Sequence, residues 1–307
     1  MINVYESVDA NKRKSTLVIA GFILFVTLAA YFISQGLAVY LGYESTGLEI
    51  AGLAFVISGV SSFISYYFSD RIILTLSGAR PADKKTDFNF YTVAENLSLA
   101  SGLPMPKLYV IDDTALNAFA TGRDPAHAVI VATTGLLSTL NRTELEGVVG
   151  HELSHVANYD IRLMSIVTVL VGIITLMADW LLRASWYGNR GKSREKGNGA
   201  IFLVIGLVLA MLSPIIAKLI QLSISRRREF LADASSVKLT RQPSGLISAL
   251  KKLGADLEPL EAANKATAHL YIVNPLKNRH DAIGWFSGLF NTHPQLTERI
   301  AALESMT

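Results

Sequence analysis

The sequence His151-Glu152-Leu153-Ser154-His155 sets two imidazoles four residues apart, with a carboxylate directly after the first. Residues four apart share one face of an α-helix, with Cβ atoms about 5–6 Å apart. His151 and His155 can therefore bind one zinc ion at the usual Zn–N distance of about 2.0–2.1 Å. Glu152 lies about 100° around the helix from His151 and about 60° from His155. Its carboxylate stands beside such a metal, where it can take a proton from an attacking water, the mechanism of the H-E-x-x-H pattern.

A catalytic zinc uses three protein ligands and keeps a position for water. The chain has no cysteine, so disulfides and thiolate ligands are excluded and the third ligand must be a histidine or a carboxylate. The candidates are Glu229, Asp233, His127, His269, His280 and His293. Glu229 and Asp233 are themselves four apart on a helix. One could bind the metal while the other orients a ligand histidine. Spacing alone does not rank them.

The elements that must position these groups are largely apolar. Half of the 307 residues are hydrophobic and 17% are charged, against roughly 25% in an ordinary soluble domain, and the mean hydropathy is +0.36. Runs at Thr16–Leu41, Gly47–Phe68, Met164–Leu182 and Ala200–Leu222 approach the roughly 20 apolar residues that cross a bilayer. The first run is far longer than the roughly 7–15 residues of a signal-peptide core, so the first two read as an uncleaved hairpin. Lys12, Arg13 and Lys14 precede it and Arg71, Arg80, Lys84 and Lys85 follow it, which places the N-terminus and everything after Asp70 in the cytoplasm. The net charge of +3 suits lysines and arginines flanking membrane segments. No basic face interleaved with aromatics points to nucleic acid.

The expected organisation is a transmembrane hairpin over 1–70, a first catalytic part over 71–163, a second apolar hairpin over 164–222 and a second catalytic part over 223–307. Phe88–Ser101 has helical periodicity and stops at Gly102 and Pro104. Lys107–Ile111 and Ala128–Thr133 read as strands, with Asn117–Gly122 a third, more exposed one. Thr143 and Glu146 have the spacing of a capping box, so the motif helix is expected to start near Thr143 and to continue toward the third apolar run. A further helix is expected around Ser244–Lys252. Pro214 should kink the fourth run. The loop Arg183–Gly199 carries five basic residues and one glutamate. It opposes the positive-inside rule if runs three and four both span, and a shallow hairpin is the rival. Either way, an even number of crossings returns Glu229 to the side of His151.

H-E-x-x-H, two apolar segments and then Ser225-Arg226-Arg227-Arg228-Glu229-Phe230-Leu231-Ala232-Asp233 resemble the HtpX family of membrane zinc proteases. That family is related to the CAAX prenyl proteases and to a mitochondrial inner-membrane stress protease. The resemblance extends over nearly the whole chain, including Asn117–Gly122 and Thr292-His293-Pro294. It implies Glu229 as third zinc ligand and Asp233 as the partner that orients a ligand histidine. It implies that Asn117, Ala118, Phe119 and Ala120 form an edge strand for an extended substrate, and that His293 stabilises the oxyanion.

The expected fold is an α+β membrane protein, mostly helical with a small antiparallel or mixed sheet, a gluzincin-like catalytic domain and four apolar helices. The expected activity is zinc-dependent endopeptidase cleavage with one zinc ion per chain and Glu152 as proton carrier. The resemblance implies misfolded or damaged membrane proteins as substrates, at the cytoplasmic face of a multi-pass cell-membrane enzyme embedded in the lipid bilayer. A CAAX-type prenyl protease, or a membrane scaffold without activity, are the alternatives. His127, His269 and His280 are read as structural.

Overall fold

A computed structural model of the chain describes residues 4–41, 47–173, 226–263, 267–273, 275 and 294–306. The later part of the third apolar run, the fourth run, the Arg183–Gly199 loop, Ser225, His280 and Thr292–His293 lie outside the described residues.

Helices α1 (Val4–Leu41) and α2 (Leu48–Leu76) form the N-terminal hairpin. Along α2 the usual soluble pattern is inverted. Leu53, Phe55, Val56, Ile57, Val60 and Phe63 point outward, whereas Ser58, Ser62, Ser65 and Ser69 are buried. The serines recur every three or four residues, so they form one face. Small polar residues inside and large apolar ones outside is how helices pack where the surroundings are hydrocarbon. At 29 residues, α2 is about 44 Å long at 1.5 Å per residue, enough to cross a bilayer.

The sheet has the order β1 (Arg80–Pro81), β2 (Lys107–Ile111), β4 (Val129–Thr133), β3 (Ala118–Thr121). The β2–β4 pair is parallel and the two outer pairs are antiparallel, so the sheet is mixed. Helix α3 (Phe88–Ser101) ends at Gly102, whose φ of 70° is the left-handed cap that glycine adopts without strain. A short α4 (Thr134–Thr139) leads into α5 (Arg142–Ala157), the motif helix. Then follow α6 (Asp160–Ile173), α7 (Arg226–Thr240), α8 (Pro243–Ala255) and α9 (Leu296–Glu304).

One sheet face packs through Leu108, Val110 and Ile130 onto Phe90, Val93 and Leu97 of α3, Leu145, Val148 and Leu153 of α5, and Leu246 and Leu250 of α8. The other packs through Ile111, Phe119, Val129 and Val131 onto Ile73 and Leu74 of α2 and Met164 of α6. Because both faces are covered, all four residues of β3 are buried. This corrects the expectation of a more exposed third strand.

Two further expectations change. The capping box is Asn141 with Glu144, one pair earlier than Thr143 with Glu146. Asn141 Oδ1 accepts from Glu144 N at 3.0 Å, and Glu144 Oε2 accepts from Asn141 N at 2.8 Å. Asparagine caps at least as well as threonine, and Glu146 instead pairs with Arg142 one turn back. Glu144 also accepts from Ser248 and Lys252, which fastens α8 to the start of α5. Nor does the motif helix run on into the third apolar segment. It stops at Asn158, Tyr159 takes a left-handed φ of 58°, and α6 leaves at 84°.

Two glycines on α5 let its neighbours come close. A Cβ at Gly150 would meet Ser236 Oγ of α7 at 2.8 Å, and one at Gly147 would meet Leu246 N and Cα of α8 at 2.8 Å. Ser236 Oγ donates to Gly147 O at 2.7 Å in the same contact. The atoms opposing Gly147 are backbone and cannot swing aside. Gly147→Ala is therefore expected to cost about 1–3 kcal/mol through overpacking, read as a lowered melting temperature. An unchanged melting temperature would show that the close approach is not required.

Candidate metal centre

His151 and His155 project from α5 toward Glu229 on the first turn of α7, and all three are buried. Each imidazole is held at the nitrogen facing away from this meeting point. His151 Nδ1 lies 2.9 Å from Asp233 Oδ1, and His155 Nδ1 lies 3.0 Å from Asp160 Oδ2. Ionised carboxylates only accept, so both Nδ1 atoms carry a proton, and each Nε2 presents a lone pair when its ring is neutral. Those two Nε2 atoms are 3.2 Å apart. With both rings neutral the contact is two acceptors facing each other, which a cation between them relieves, and with His155 protonated it is a hydrogen bond from His155 to His151.

Glu229 closes the third side, its Oε2 3.8 Å from His151 Nε2 and its Oε1 3.5 Å from His155 Nε2. Among the described residues, His151, His155 and Glu229 are the group whose ligand atoms all lie within 4.8 Å of one another. Ligands about 2.0–2.1 Å from a tetrahedral zinc are about 3.3 Å apart, so the donor types and their spacing fit that ion. Charge fits as well. When ionised, Glu152, Glu229, Asp233 and Asp160, all buried, outweigh the Arg299 and Arg228 guanidinium groups beside them by two negative charges. A divalent cation neutralises the excess.

The surrounding groups act on one another's protonation. Burial would raise the Asp233 carboxyl, but Arg299 and then His151 hold it below the usual carboxylate range. Burial likewise opposes Asp160, which His155 and Arg228 hold low. Glu152 is pushed up by burial, against the lowering pull of His151 and His155. For His155, burial favours the neutral ring, but the Asp160 hydrogen bond and the charges of Glu229, Asp160 and Glu152 lift its pKa to about 9.

Arg299 is the main component that the sequence reading passed over. It is fully buried on α9 and forks onto Asp233, Nε to Oδ2 at 2.8 Å and Nη2 to Oδ1 at 2.6 Å. Its Nη2 is also 3.3 Å from His151 Nδ1. Both nitrogens donate to the same Asp233 oxygen, so their proximity is a consequence of sharing an acceptor. The signal was present in the sequence, because Arg299 lies among Leu296, Ile300 and Leu303, on the apolar stripe of its helix. Asp160 and Asn11 were also passed over. Asn11 lies on the opening turns of α1 and donates to Asp160 Oδ1 at 2.7 Å.

The remaining candidates fall elsewhere. His127 is on a 3₁₀ turn with its Nδ1 2.7 Å from Asp124, and His269 is buried with its Nε2 3.0 Å from Thr168 Oγ1. His293 is outside the described residues. The Asn117 side chain holds the 267–273 segment to the sheet, donating to Val273 O at 2.9 Å. Ala118 O accepts from Ile272 N at 3.0 Å, so part of the β3 edge is occupied by the chain itself. Alternation along an antiparallel strand turns the Ala120 main chain to the same outer side.

A family model for Peptidase family M48 matches residues 85–307. The protease HtpX homolog of Dictyoglomus turgidum is 42% identical over 302 residues, 98% of this chain and 94% of that protein. The protease HtpX homolog of Caldanaerobacter subterraneus subsp. tengcongensis is 42% identical over 307 residues, 99% of this chain and 98% of that protein. The crystal structure of S. mikatae Ste24p aligns at a TM-score of 0.47 and 20% identity, over 99% of this chain and 66% of that one.

The family model and the HtpX homologs define the class as a zinc-dependent membrane metallopeptidase. The chain belongs to peptidase family M48 and groups with its HtpX proteases.

A zinc ion held at this site would compete with a proton for His155. Its folded pKa of about 9 lies above the ordinary 6.5, so the proton stabilises the zinc-free protein fully below about pH 6.5, and that stabilisation is lost as pH rises through about 9. Metal binding becomes correspondingly easier over the same window. The gap in melting temperature between zinc-loaded and zinc-free protein is therefore expected to widen from pH 6.5 to 9. A gap that narrows or stays constant would contradict this account.

Proposed function

We propose that the protein is an endopeptidase in which His151, His155 and Glu229 hold the zinc ion, Glu152 moves the proton, and Asp233 orients His151. The observation that carries this reading is the pair of Nε2 atoms 3.2 Å apart with Glu229 across from them. Zinc bound there would polarise the scissile carbonyl and acidify the attacking water. Glu152 accepts the proton of that water and delivers it to the leaving amine. Burial has already raised its affinity for a proton, which suits a group that must hold one between two steps. Asp233 and Asp160 keep the imidazoles from rotating away.

An extended substrate is proposed to pair with the outward main chain of β3 at Ala120, within the Asn117–Ala120 segment. Main-chain pairing is indifferent to side chains and suits a tolerant enzyme. His293, by resemblance, would donate to the oxyanion. The chain is read as an N-terminal transmembrane hairpin over 1–70 and a second apolar hairpin over 164–222, with the two catalytic parts, 71–163 and 223–307, brought together on the cytoplasmic side of the cell membrane. The serine-in, apolar-out pattern of α2 supports the first hairpin. Membrane proteins with misfolded or damaged segments reaching the cytoplasm are the proposed substrates.

Glu152→Gln keeps the shape and removes the base. It is expected to retain zinc and lose about 10²–10⁴-fold in rate, measured as casein cleavage or self-cleavage in detergent. Cleavage by this variant at the wild-type rate would overturn the role of Glu152.

A further inference from the structure

The buried amide of Asn11 stands at the junction between the N-terminal helix and the metal centre. Its Nδ2 donates to Asp160 Oδ1 at 2.7 Å and to Asn158 O at 2.9 Å. Its Oδ1 accepts from Arg228 Nη1 at 3.4 Å. The amide orientation is fixed by this set, because a flipped side chain would turn its oxygen toward a carboxylate and a carbonyl. Asn158 caps the motif helix, and Asp160 opens α6 across the 84° corner. One side chain thus braces both ends of the corner from a helix nearly 150 residues earlier. The other oxygen of Asp160 takes the Nδ1–H of His155.

We propose that Asn11 is a positioning residue of the metal centre, holding Asp160 so that His155 Nε2 faces the ion, and that zinc affinity thereby depends on the docking of α1. The inference rests on the reading of His155 as a zinc ligand. Without the Asn11 donor, Asp160 keeps Arg228, whose Nη1 lies 2.9 Å away, but the carboxylate loses the contact that ties it to the end of the motif helix. His155 then samples ring orientations that do not present Nε2 to the metal. The direct partner of a ligand histidine, here Asp160, is worth about 10–100-fold in metal affinity, and Asn11 acts through that partner.

The geometry separates this role from simple helix packing. Ser15 is buried on the same side of α1 one turn further on, and among the described residues its Oγ bonds within that helix, to Asn11 O at 2.9 Å. Nearby, Val18 and Phe22 form the apolar contact with Leu163 and Ile166 of α6. Docking of α1 therefore has its own basis, and Asn11 adds the polar link to the site.

The test is zinc affinity of the full-length protein in detergent, by competition with a chromophoric chelator, for wild type, Asn11→Leu, Ser15→Ala and His155→Ala. The expected result is weaker zinc binding for Asn11→Leu, within the about 10–100-fold that a direct partner is worth, and wild-type affinity for Ser15→Ala, with Asn11→Gln recovering part of the loss. Wild-type affinity in Asn11→Leu overturns the proposal, and so does an equal loss in Ser15→Ala, which would reduce Asn11 to helix packing. An unchanged affinity in His155→Ala would instead overturn the underlying ligand assignment.

Discussion

Everything in the catalytic half depends on two hydrogen bonds, Asp233 to His151 and Asp160 to His155. A histidine offers a metal whichever ring nitrogen its other neighbour leaves free. By binding both Nδ1 protons, the carboxylates turn the two Nε2 atoms onto one point inside a buried space, where a proton on His155 or a metal cation relieves their repulsion. Metal affinity at this site would thus be built partly from groups that do not touch the metal, and the buried carboxylates, when ionised, would make a divalent ion a fitting counter-charge.

The rest of the fold brings those carboxylates within reach. Asp233 arrives on α7, which lies against α5 with Ser236 Oγ packed over Gly150. The Asn141–Glu144 box starts α5 and, through Ser248 and Lys252, holds α8 against it. Arg299 is the counterweight to Asp233. It reaches Glu229 as well, Nη1 to Oε2 at 3.6 Å, and it donates to Ile272 O at 3.4 Å. Since Ile272 N also bonds Ala118 O, a continuous path of hydrogen bonds runs from the β3 edge to His151. Asp160 is placed by the sharp break after α5 and by Asn11 of α1, so the N-terminal hairpin is part of the site's frame.

The pairing of His151 with His155 and of Glu229 with Asp233 was legible because residues four apart share one helical face, and the structure brings the two faces together. Helix α3 and strand β2 were legible to the residue, since turn residues bound them on both sides. What could not be read was set by contacts distant in sequence. Nothing local marks Asp160 as a partner of His155 or links Asn11 to either. The burial of β3 depends on which elements cover its second face. The misplaced capping box shows a different limit, because two overlapping patterns one pair apart both satisfied the spacing rule and only the backbone chooses between them. Arg299 sits between these cases. A guanidinium on an apolar helical stripe announces a buried partner but does not identify it.

The central claim is that one zinc ion is held by two imidazoles and the Glu229 carboxylate. X-ray absorption at the zinc edge of the purified full-length protein tests it directly. The expected spectrum has a shell of nitrogen and oxygen atoms at about 2.0–2.1 Å with the outer scattering of two imidazole rings, one of which is lost in His151→Ala. An oxygen-only shell without imidazole scattering, or an unaltered spectrum in that variant, would contradict it.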